Sequence, residues 1–465
     1  MLLADKLRAG ILAAAAALLS WQLFLPPIVG LADQGDFVRI LGRFGYRAPD
    51  ESNQYTFVTR KFVHDPNARM AVYEQVSSEY IFAGAAILLS KVFSTDGMLD
   101  IRTIGFVHML AFLYAFYRLL QVTGQVRASP LIWILALLVL TDVGYAAYWN
   151  SFYAEPASCI FFLLLLAESI AISRTQEVSV VQAARWTLWA ILLVIAKTQN
   201  APLGIVLALF ALRLLSWSKS VSARRATVAG SVLIAAATTI NLMTIPFPVK
   251  WPDTYNQVFL AILPESKDPM QDAKFLGLTP DWLKYSGTGA WAPGSAYHDA
   301  VVSGVIGKTI TPVRIVRFYL LRPNRIWRHA KRILPVAFSL RPEWCGNFER
   351  SAGLPPGARS TKFSLWSAFH EHVLTGCGKF ILIALLSWPA ISLAAWWRWP
   401  SRRRYLEFCI LLSVGCVLSF VAAICGDAWD NVKHLFLFNL LLDTWMVAVF
   451  AMLAGPPVRN VLHRI

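Results

Sequence analysis

Charged residues are scarce in this chain of 465 residues, at 15% of the sequence, whereas soluble domains carry about 25%. This deficit, together with long uncharged runs, excludes an ordinary soluble enzyme and predicts an all-α polytopic membrane protein. Acidic residues are also fewer than basic ones, 27 against 43, so the net charge is +16. Nucleic acid is the usual partner of so basic a protein, but the chain has no soluble basic domain to bind it. We therefore expect membrane lipids, and no nucleic acid, as partners of these cations.

Other features are missing too. The sequence has no Asn-X-Ser/Thr site, no internal repeat and no low-complexity segment, which fits a bacterial inner-membrane protein. Its six cysteines show no zinc-site spacing. Cys345 and Cys377, both in one predicted external loop, are the preferred disulfide pair in an oxidising compartment, with Cys425 as an alternative partner for either. The run His370-Glu371-His372 lacks the spacing of a zinc-protease helix, so it predicts no metal site.

Uncharged or nearly uncharged runs predict about ten transmembrane helices. The runs are Ala9–Ala32, Ile101–Leu120, Pro130–Trp149, Ser151–Ser173, Trp186–Thr198, Pro202–Ser216, Ala226–Pro246, Phe380–Trp397, Phe408–Gly426 and Leu435–Leu453. The first run is long for a cleaved signal peptide, so we interpret it as a retained span. We expect an N-terminal membrane module over residues 1–246, a large external loop over 247–379 and C-terminal membrane helices over 380–465.

Basic residues concentrate in one set of short segments, which predicts that both termini are cytoplasmic. These residues are Lys6, Arg8, Arg118, Arg127, Arg174, Arg185, Arg213, Lys219, Arg224, Arg225, Arg398, Arg402–Arg404, Arg459 and Arg464. The orientation places residues 33–100 outside as a first external loop. It also predicts a juxtamembrane or re-entrant helix at Tyr80–Phe93, and a break at Lys197–Pro202 that lines a cavity or is buried in protein.

Asp33 and Asp36 follow the first predicted span and are the strongest candidates for catalysis. Apolar residues recur from Phe37 to Phe44 with helical spacing, which predicts an amphipathic helix that lies on the membrane. Carboxylates at the start of a helix also cap free N–H groups. Capping explains one acid more readily than two, so we expect at least one of them to be catalytic.

Polar residues also occur at the outer ends of later spans. Glu155 directly precedes Pro156, and an acid at the start of a span is costly unless it is used or paired. The alternative for the aromatic turn around it is an interfacial belt with snorkelling polar residues. Lys197, inside the predicted break, is not expected to face lipid.

The segment before the last span is rich in charge. Asp427, Lys433 and His434 lie there, within eight residues of one another. Asp443 continues into the span itself. An intramembrane acid suggests function, but hydrogen bonding between helices is an equal competitor.

The segment Lys308–Arg332 of the large loop carries eight cations and no acid. Arg314, Arg317, Arg322 and Arg325 belong to it. An external position removes the topological explanation of such a run. Either these residues attract anionic lipid in bulk, or some of them bind the phosphate of a lipid-linked substrate.

The order of these segments resembles the GT-C superfamily of integral-membrane glycosyltransferases. In that superfamily, acids lie in the first external loop, and Asp33-Gln34-Gly35-Asp36-Phe37 occupies that position. The stretch Glu79–Phe93, followed by Asp100-Ile101-Arg102, is similar to the protein-mannosyltransferase and aminoarabinose-transferase branches. The resemblance implies a GT-C-like fold with juxtamembrane helices in the first external loop.

Three further segments look like patterns of bacterial membrane hexosyltransferases: Asn150–Glu155, Lys197–Gln199 and Lys433–Phe436. The resemblance covers residues 1–205 best and the last span more weakly, and it leaves the large loop unmatched. The chain lacks the Asp-Glu pair of protein mannosyltransferases, which argues against protein O-mannosylation.

The resemblance implies an inverting sugar transfer from a polyprenyl-phosphate donor to an extracytoplasmic glycan or lipid-linked acceptor. Asp36 is then the first choice for general base and Asp33 the second, while the loop arginines with Lys197 or Lys433 stabilise the departing phosphate. The residues expected to contact substrate are Asn150, Tyr153, Glu155, Lys197, Gln199, Asp427, Lys433 and His434. Some members use a divalent cation, and the clustered acids would accommodate one, although no motif requires it.

Two other functions are compatible with the sequence. Asp443, Lys197 and His108 would suit a transporter or flippase of a lipid-linked glycan, although only one broken helix is predicted where such proteins have paired repeats. Arginines in an external loop would suit an O-antigen polymerase or ligase. Substitution of Asp33 and Asp36 separates these functions from a GT-C enzyme.

Overall fold

The structure is a computed structural model that describes residues 2–68, 73, 75–124 and 129–454. Of the basic residues used to orient the chain, Arg127, Arg459 and Arg464 lie outside these ranges. The helices are α1 (Leu2–Leu23), α2 (Val38–Leu41), α3 (Glu79–Phe93), α4 (Ile101–Thr123), α5 (Ser129–Leu140), α6 (Val143–Ala146), α7 (Glu155–Arg174), α8 (Val180–Val194), α9 (Ala201–Leu214), α10 (Val221–Met243), α11 (Phe247–Asn256), α12 (Pro269–Leu276), α13 (Ala300–Thr309), α14 (Pro312–Leu321), α15 (Pro323–Ile333), α16 (Leu365–Phe369), α17 (Thr375–Arg398), α18 (Arg403–Gly426), α19 (Asn431–His434) and α20 (Phe436–Ala454). The strands are β1 (Tyr46–Arg47), β2 (Lys61–His64) and β3 (Leu99–Asp100).

Six helical segments of the described chain are long and apolar enough to cross a membrane. They are Ile101–Thr123, Glu155–Arg174, Thr198–Trp217, Val221–Met243, Leu365–Arg398 and Pro400–Gly426. The shorter apolar helices α5, α8 and α20, and the helix α1, overlap four more of the predicted runs. The chain is therefore a helical membrane protein, as predicted, while the total of about ten crossings stays a prediction.

The predicted break between α8 and α9 is confirmed. Helix α8 ends at Val194, Lys197 has an extended backbone, and α9 begins at Ala201. The side-chain amides of Asn200 and Asn241 donate to the carbonyls of Leu193 and Val194, at 2.9 and 2.8 Å. The bond to Val194 satisfies a carbonyl that the broken helix leaves free, as irregular backbone at this depth requires.

The basic segments and the acidic external segments lie at opposite ends of the same helices. Helix α7 begins at Glu155 and ends at Arg174, and α18 runs from the cluster around Arg404 to a point directly before Asp427. Arg404 donates to the Gln176 carbonyl at 2.8 Å, so the predicted cytoplasmic segments contact one another. A helix the length of α18 spans about 36 Å, which separates the two ends by a membrane thickness.

The amphipathic helix predicted in the first external loop does not lie on the membrane. Helix α2 has only four residues, and Phe37, Ile40 and Leu41 are buried inside the protein. The loop instead folds over a small antiparallel sheet of order β1-β2-β3, with Tyr46 opposite His64. The prediction was wrong because helical apolar spacing does not distinguish a lipid surface from a protein surface.

The large loop has a hydrophobic core of its own, in which Trp251, Tyr255, Phe259 and Phe318 are buried. Its predicted end at residue 379 does not coincide with a structural boundary. The last helical segment of the loop, which includes α16, a π-helical turn and α17, forms one candidate span over Leu365–Arg398.

Candidate functional site

The first external loop folds around a turn at Gly35. This glycine has φ +98°, a left-handed conformation that other residues rarely adopt. The turn lets Asp33 Oδ1 accept hydrogen bonds from the N–H groups of Gly35 and Phe37, at 2.8 and 3.1 Å. The second carboxyl oxygen of Asp33 has no partner among the described residues. Asp33 is therefore the acid that caps the following turn, and it keeps one oxygen for another contact.

Aromatic rings hold this loop against the turn before α7. The buried Phe37 ring lies 4.8 Å from the Tyr153 ring and 5.6 Å from the Phe152 ring, centroid to centroid. The Tyr153 hydroxyl accepts from the N–H of Gln34 at 3.0 Å and donates to the Ala32 carbonyl at 2.8 Å. The hydroxyl of Tyr153 thus binds the loop backbone, and the residue positions the two acids.

Asp36 lies in a cluster of ions. Lys433 Nζ contacts Asp36 Oδ2 and lies 3.1 Å from Asp430 Oδ2. Arg39 Nη2 lies 2.9 Å from Asp36 Oδ1, and Gln34 Nε2 donates to Asp430 at 2.6 Å. The Lys433 side chain is 3% exposed and that of Asp36 is 19% exposed. Charges so removed from water need partners. The first external loop and the segment Asp427–His434 supply these partners to each other.

The two acids of the first loop ionise differently. Burial, with a smaller contribution from the charge of Asp36, raises the pKa of Asp33 to about 6. The backbone hydrogen bonds to Asp33 act to lower this pKa but are outweighed. Burial also acts to raise the pKa of Asp36, but Arg39 and Lys433 outweigh it and hold that pKa well below its usual range. Near neutral pH, Asp36 is therefore a fixed anion, while Asp33 can exchange a proton.

A second ion pair lies beside the first. Lys197 Nζ is 2.7 Å from Glu155 Oε1, and Glu155, the first residue of α7, is buried. The charge of Lys197 acts on Asp36, and the charge of Glu155 acts on Lys433, so the two pairs share one site. Gln199, from the same break as Lys197, has a buried Oε1 without a partner in the described part of the chain.

The segment after α18 connects the site to the large loop. Asp427 Oδ2 lies 3.0 Å from His434 Nε2, and the Asn256 side chain of α11 is near enough to help lower the pKa of Asp427. The Trp429 ring packs against Gly289, where an added Cβ would lie 3.1 Å from the ring. The large loop therefore lies directly against the charged cluster.

Besides Gln199 Oε1, four buried polar atoms around this cluster have no hydrogen-bond partner within the described ranges. They are Tyr148 OH, Asp430 Oδ1, Asn431 Oδ1 and His434 Nδ1. Buried polar atoms are normally paired. A hydroxyl-rich ligand such as a sugar would offer them both donors and acceptors.

Residues 5–461 match the model of a protein family, the YfdI N-terminal transmembrane domain. The chain belongs to this family. The match includes the membrane helices, the first external loop and the large loop, so the charged cluster lies wholly within the family domain. No sequence among the curated proteins matches the chain.

In this YfdI-family chain, Asp253 also belongs to the charged cluster, and the sequence analysis did not identify it. It lies in α11, partly buried and one turn before Asn256. Burial and the charge of Asp427 raise the pKa of Asp253 to about 7, against the opposing effect of Arg39. The only indication of this in the sequence was that Asp253 lies shortly after the predicted span Ala226–Pro246.

Asn150, predicted to contact substrate, has structural partners. Its Nδ2 donates to the carbonyls of Leu23 and Val29, at 2.9 and 2.8 Å. Gly105 lies so close that an added Cβ would be 1.9 Å from Asn150 Oδ1. Asn150 therefore fixes the chain that leads from α1 into the first external loop, and it affects the site through that loop.

The four arginines predicted to bind lipid phosphate are Arg314, Arg317, Arg322 and Arg325. In the structure, Arg325 forms an ion pair with Asp272, and Arg322 lies 3.6 Å from the same carboxylate. Arg314 donates to the Leu276 carbonyl at 3.0 Å. These bonds hold α14 and α15 against α12, so a role in binding phosphate stays a prediction.

The predicted Cys345–Cys377 disulfide is wrong. All six cysteines are free. Cys345 is buried with its Sγ 3.9 Å from Gln34 Oε1, whereas Cys377 is exposed on α17. Two cysteines of one loop can form a bridge only if the fold brings their Cα atoms within about 7 Å, and spacing along the chain does not establish that.

Within the described ranges, no group of three His, Cys, Asp or Glu side chains is arranged to hold a metal ion. His370, from the His370-Glu371-His372 run, pairs with Asp443 at 2.8 Å. Its Nδ1 donates to the Phe338 carbonyl, also at 2.8 Å. The acids of the cluster have Lys433, Arg39, Lys197 and His434 as partners, so a divalent cation stays a prediction.

Proposed function

We propose that the chain is a membrane glycosyltransferase. It transfers a sugar, with inversion, from a polyprenyl-phosphate donor to an extracytoplasmic glycan or lipid-linked acceptor. The observation that carries the proposal is the contrast between Asp33, whose pKa is about 6, and Asp36, which is paired with Lys433. One acid is tuned for proton transfer and the other orients cations, as a transfer with a phosphate leaving group requires.

Asp33 is the general base in this proposal. A base must lie about 3 Å from the acceptor hydroxyl and needs a pKa near the working pH. Asp33 has one oxygen free of described partners, and its pKa is close to neutral. Asp36, the first choice from the sequence, is engaged by Arg39 and Lys433, which makes it a weak base.

The cations of the cluster bind the donor phosphate in this proposal. Lys433, Arg39 and Lys197 all lie near Asp36. As the bond to the sugar breaks, negative charge grows on the phosphate oxygens, and cations already held in place stabilise it without reorganisation. Asp36 and Glu155 keep these cations oriented before the donor binds. Asp427 and His434 would contact the sugar or the acceptor.

The position of the cluster supports action on the external face of an inner membrane. The cluster lies at the ends of α7 and α18 that are opposite to Arg174 and Arg404. Cytoplasmic segments are the ones enriched in basic residues. A polyprenyl-phosphate sugar presents its head group at the membrane surface, so a site at this depth meets both the lipid-linked donor and an extracytoplasmic acceptor.

The alternatives have less support. A transporter was suggested by Asp443, Lys197 and His108, but each has a partner, respectively His370, Glu155 and Glu79. Paired buried groups of this kind serve helix packing well. An arginine-dependent polymerase or ligase needs available external arginines, whereas Arg314, Arg322 and Arg325 bind within their own loop.

The test is release of polyprenyl phosphate from labelled polyprenyl-phosphate hexoses by the purified protein. Wild type is compared with Asp33→Asn, Asp36→Asn and a matched control, Glu51→Gln, which removes an exposed carboxylate from the same loop. We expect turnover by wild type and the control, and loss of at least about 100-fold in Asp33→Asn, the size of a general-base contribution. Donor binding should survive in Asp33→Asn and weaken in Asp36→Asn.

Equal turnover by Asp33→Asn and wild type would show that Asp33 is not the base. Asp36 would then be the remaining candidate in this loop. The proposal would fail if the protein binds a lipid-linked glycan and moves it between leaflets, but turns over no donor in any membrane preparation. The protein would then be a transporter.

A further inference from the structure

Helices α13 and α14 of the large loop expose apolar side chains that no described residue covers. On α14, Val313, Val316 and Leu320 are 75%, 57% and 75% exposed, and they follow one another along one face of the helix. Val301 and Val305, one turn apart on α13, are exposed as well. Rows of exposed apolar side chains of this kind mark an interaction site.

The other face of α14 is firmly packed. Ile315, Phe318 and Tyr319 are buried in the core of the large loop, together with Tyr255 of α11. The helix therefore holds a fixed orientation, and the exposed stripe is not the result of a loose segment. Thr311 caps the helix by accepting from the N–H of Arg314.

Cations border the apolar stripe. Arg317 follows Val316 directly and is exposed, and Lys308 is exposed at the end of α13. From Ala300 to Arg332 the chain contains no acidic residue. An apolar face edged by Lys and Arg is the pattern of a helix that lies in the interface of a membrane with anionic lipids.

The loop meets the membrane helices next to this surface. Helix α15, which follows α14 directly, packs against α18, a candidate span. Ile326 of α15 and Cys425 at the end of α18 each contact both the core of the membrane bundle and the core of the large loop. The apolar stripe is thus carried by a rigid unit that stands at the external end of a membrane helix.

We infer that α13 and α14 dock into the outer leaflet of the membrane. Val301, Val305, Val313, Val316 and Leu320 enter the boundary between head groups and acyl chains, and Lys308 and Arg317 bind anionic head groups. The docking fixes the height of the large loop above the bilayer, and with it Asn256 and Gly289, which contact the charged cluster. The inference concerns lipid contact and does not depend on the proposed reaction.

The experiment places a bimane label at position 316. The two cysteines that are not fully buried are first replaced, as Cys377→Ser and Cys425→Ser. Val316→Cys is compared with Asp281→Cys, a matched exposed position in the same loop. Both proteins are placed in nanodiscs of phosphatidylcholine, with or without phosphatidylglycerol, and quenched with lipids brominated on the acyl chain or with aqueous iodide.

We expect brominated lipid to quench the label at 316 several-fold more than the label at 281, and iodide to show the reverse order. Equal quenching at the two positions by brominated lipid overturns the inference. A label at 316 that is protected from both quenchers, with cross-linking between copies through Val316→Cys, also overturns it and makes the face a contact between protein copies.

The charge component has its own comparison. Phosphatidylglycerol should increase the lipid quenching at 316, and the pair Lys308→Gln and Arg317→Gln should abolish the increase. Lys274→Gln, which removes an exposed cation from α12 of the same loop, should leave it unchanged. An increase that persists in the double variant overturns the role assigned to the two cations.

Discussion

Lys433, just before α20, forms an ion pair with Asp36, which follows α1, across 397 positions of sequence. The same lysine also contacts Asp430. Burial acts to lower the pKa of Lys433, but Asp36 and Asp430 outweigh it and hold that pKa well above its usual range. The pair joins the loop after α1 to the segment before α20, so distant parts of the chain contribute to one site.

Loss of either partner should destabilise the protein. Lys433→Gln leaves Asp36 with Arg39 as its ion-pair partner, and Asp36→Asn leaves Lys433 with Asp430, so each should cost on the order of 3 kcal/mol. The double variant should cost less than the sum of the two. Thermal unfolding of the purified protein in detergent, analysed as a double-mutant cycle, measures this. Strictly additive losses would mean that the pair has no coupling.

Turnover should depend on the ionisation of Asp33. The carboxylate accepts a proton only when ionised, and its pKa is about 6. We expect kcat/KM to rise as the pH passes through about 6, to level off above, and to fall about tenfold per pH unit below. Asp33→Glu should keep a limb of this kind at a shifted pH. A flat wild-type profile between about pH 5 and 7 would contradict the assignment.

Gly35→Ala tests the turn that positions both acids. No atom lies within 4 Å of an added Cβ, so the effect comes from φ +98° alone. We expect a loss of stability of about 1 kcal/mol or more and a fall in turnover, because the hydrogen bonds to Asp33 move. Gly10→Ala is the matched control, since Gly10 is equally uncrowded but lies within α1. Similar losses in both variants would argue against a special role for the turn.

Asp443 tests whether the buried network of the last helix is structural. Both ring nitrogens of His370 face acceptors, the Phe338 carbonyl and the Asp443 carboxylate, and Tyr145 also donates to Asp443 at 2.6 Å. The Asp443 carboxylate therefore connects His370 and Tyr145 to α20 inside the protein.

Asp443→Asn should clearly lower the thermal unfolding temperature, because breaking a buried pair costs several kcal/mol of unfolding free energy. Turnover per folded molecule should stay within about twofold of wild type, the scatter expected away from the reacting atoms. Folded protein with abolished turnover would place Asp443 in the functional pathway and revive the transporter hypothesis.

Much of the candidate site was accessible from sequence as separate segments. Glu155, Lys197 and Lys433 stood out because charge at the edge of a span is costly, and the orientation rule placed their segments on one side of the membrane. Which of them pair was not accessible, since Glu155 binds Lys197 and Lys433 binds Asp36 through the packing of distant helices.

Two predictions were wrong for physical reasons, and one ion pair could not have been predicted. The apolar spacing from Phe37 to Phe44 predicted a membrane contact, but the same spacing serves a face that packs on protein. The shared loop of Cys345 and Cys377 carried no information on the distance between them. The acidic partner of Arg325 lies outside its basic run, at Asp272, so the spacing of the run could not predict this ion pair.

The sequence by itself determined that this is a helical membrane protein, where its helix breaks at Lys197, and which polar segments share a face. Each of these depends on composition within a local window. Only the tertiary structure decided that Asp33 rather than Asp36 titrates near neutral pH, that Asp253 joins the cluster, and that α14 rather than α2 exposes its apolar face. The pKa of an acid and the exposure of a face depend on neighbours in space, and here those neighbours come from opposite ends of the chain.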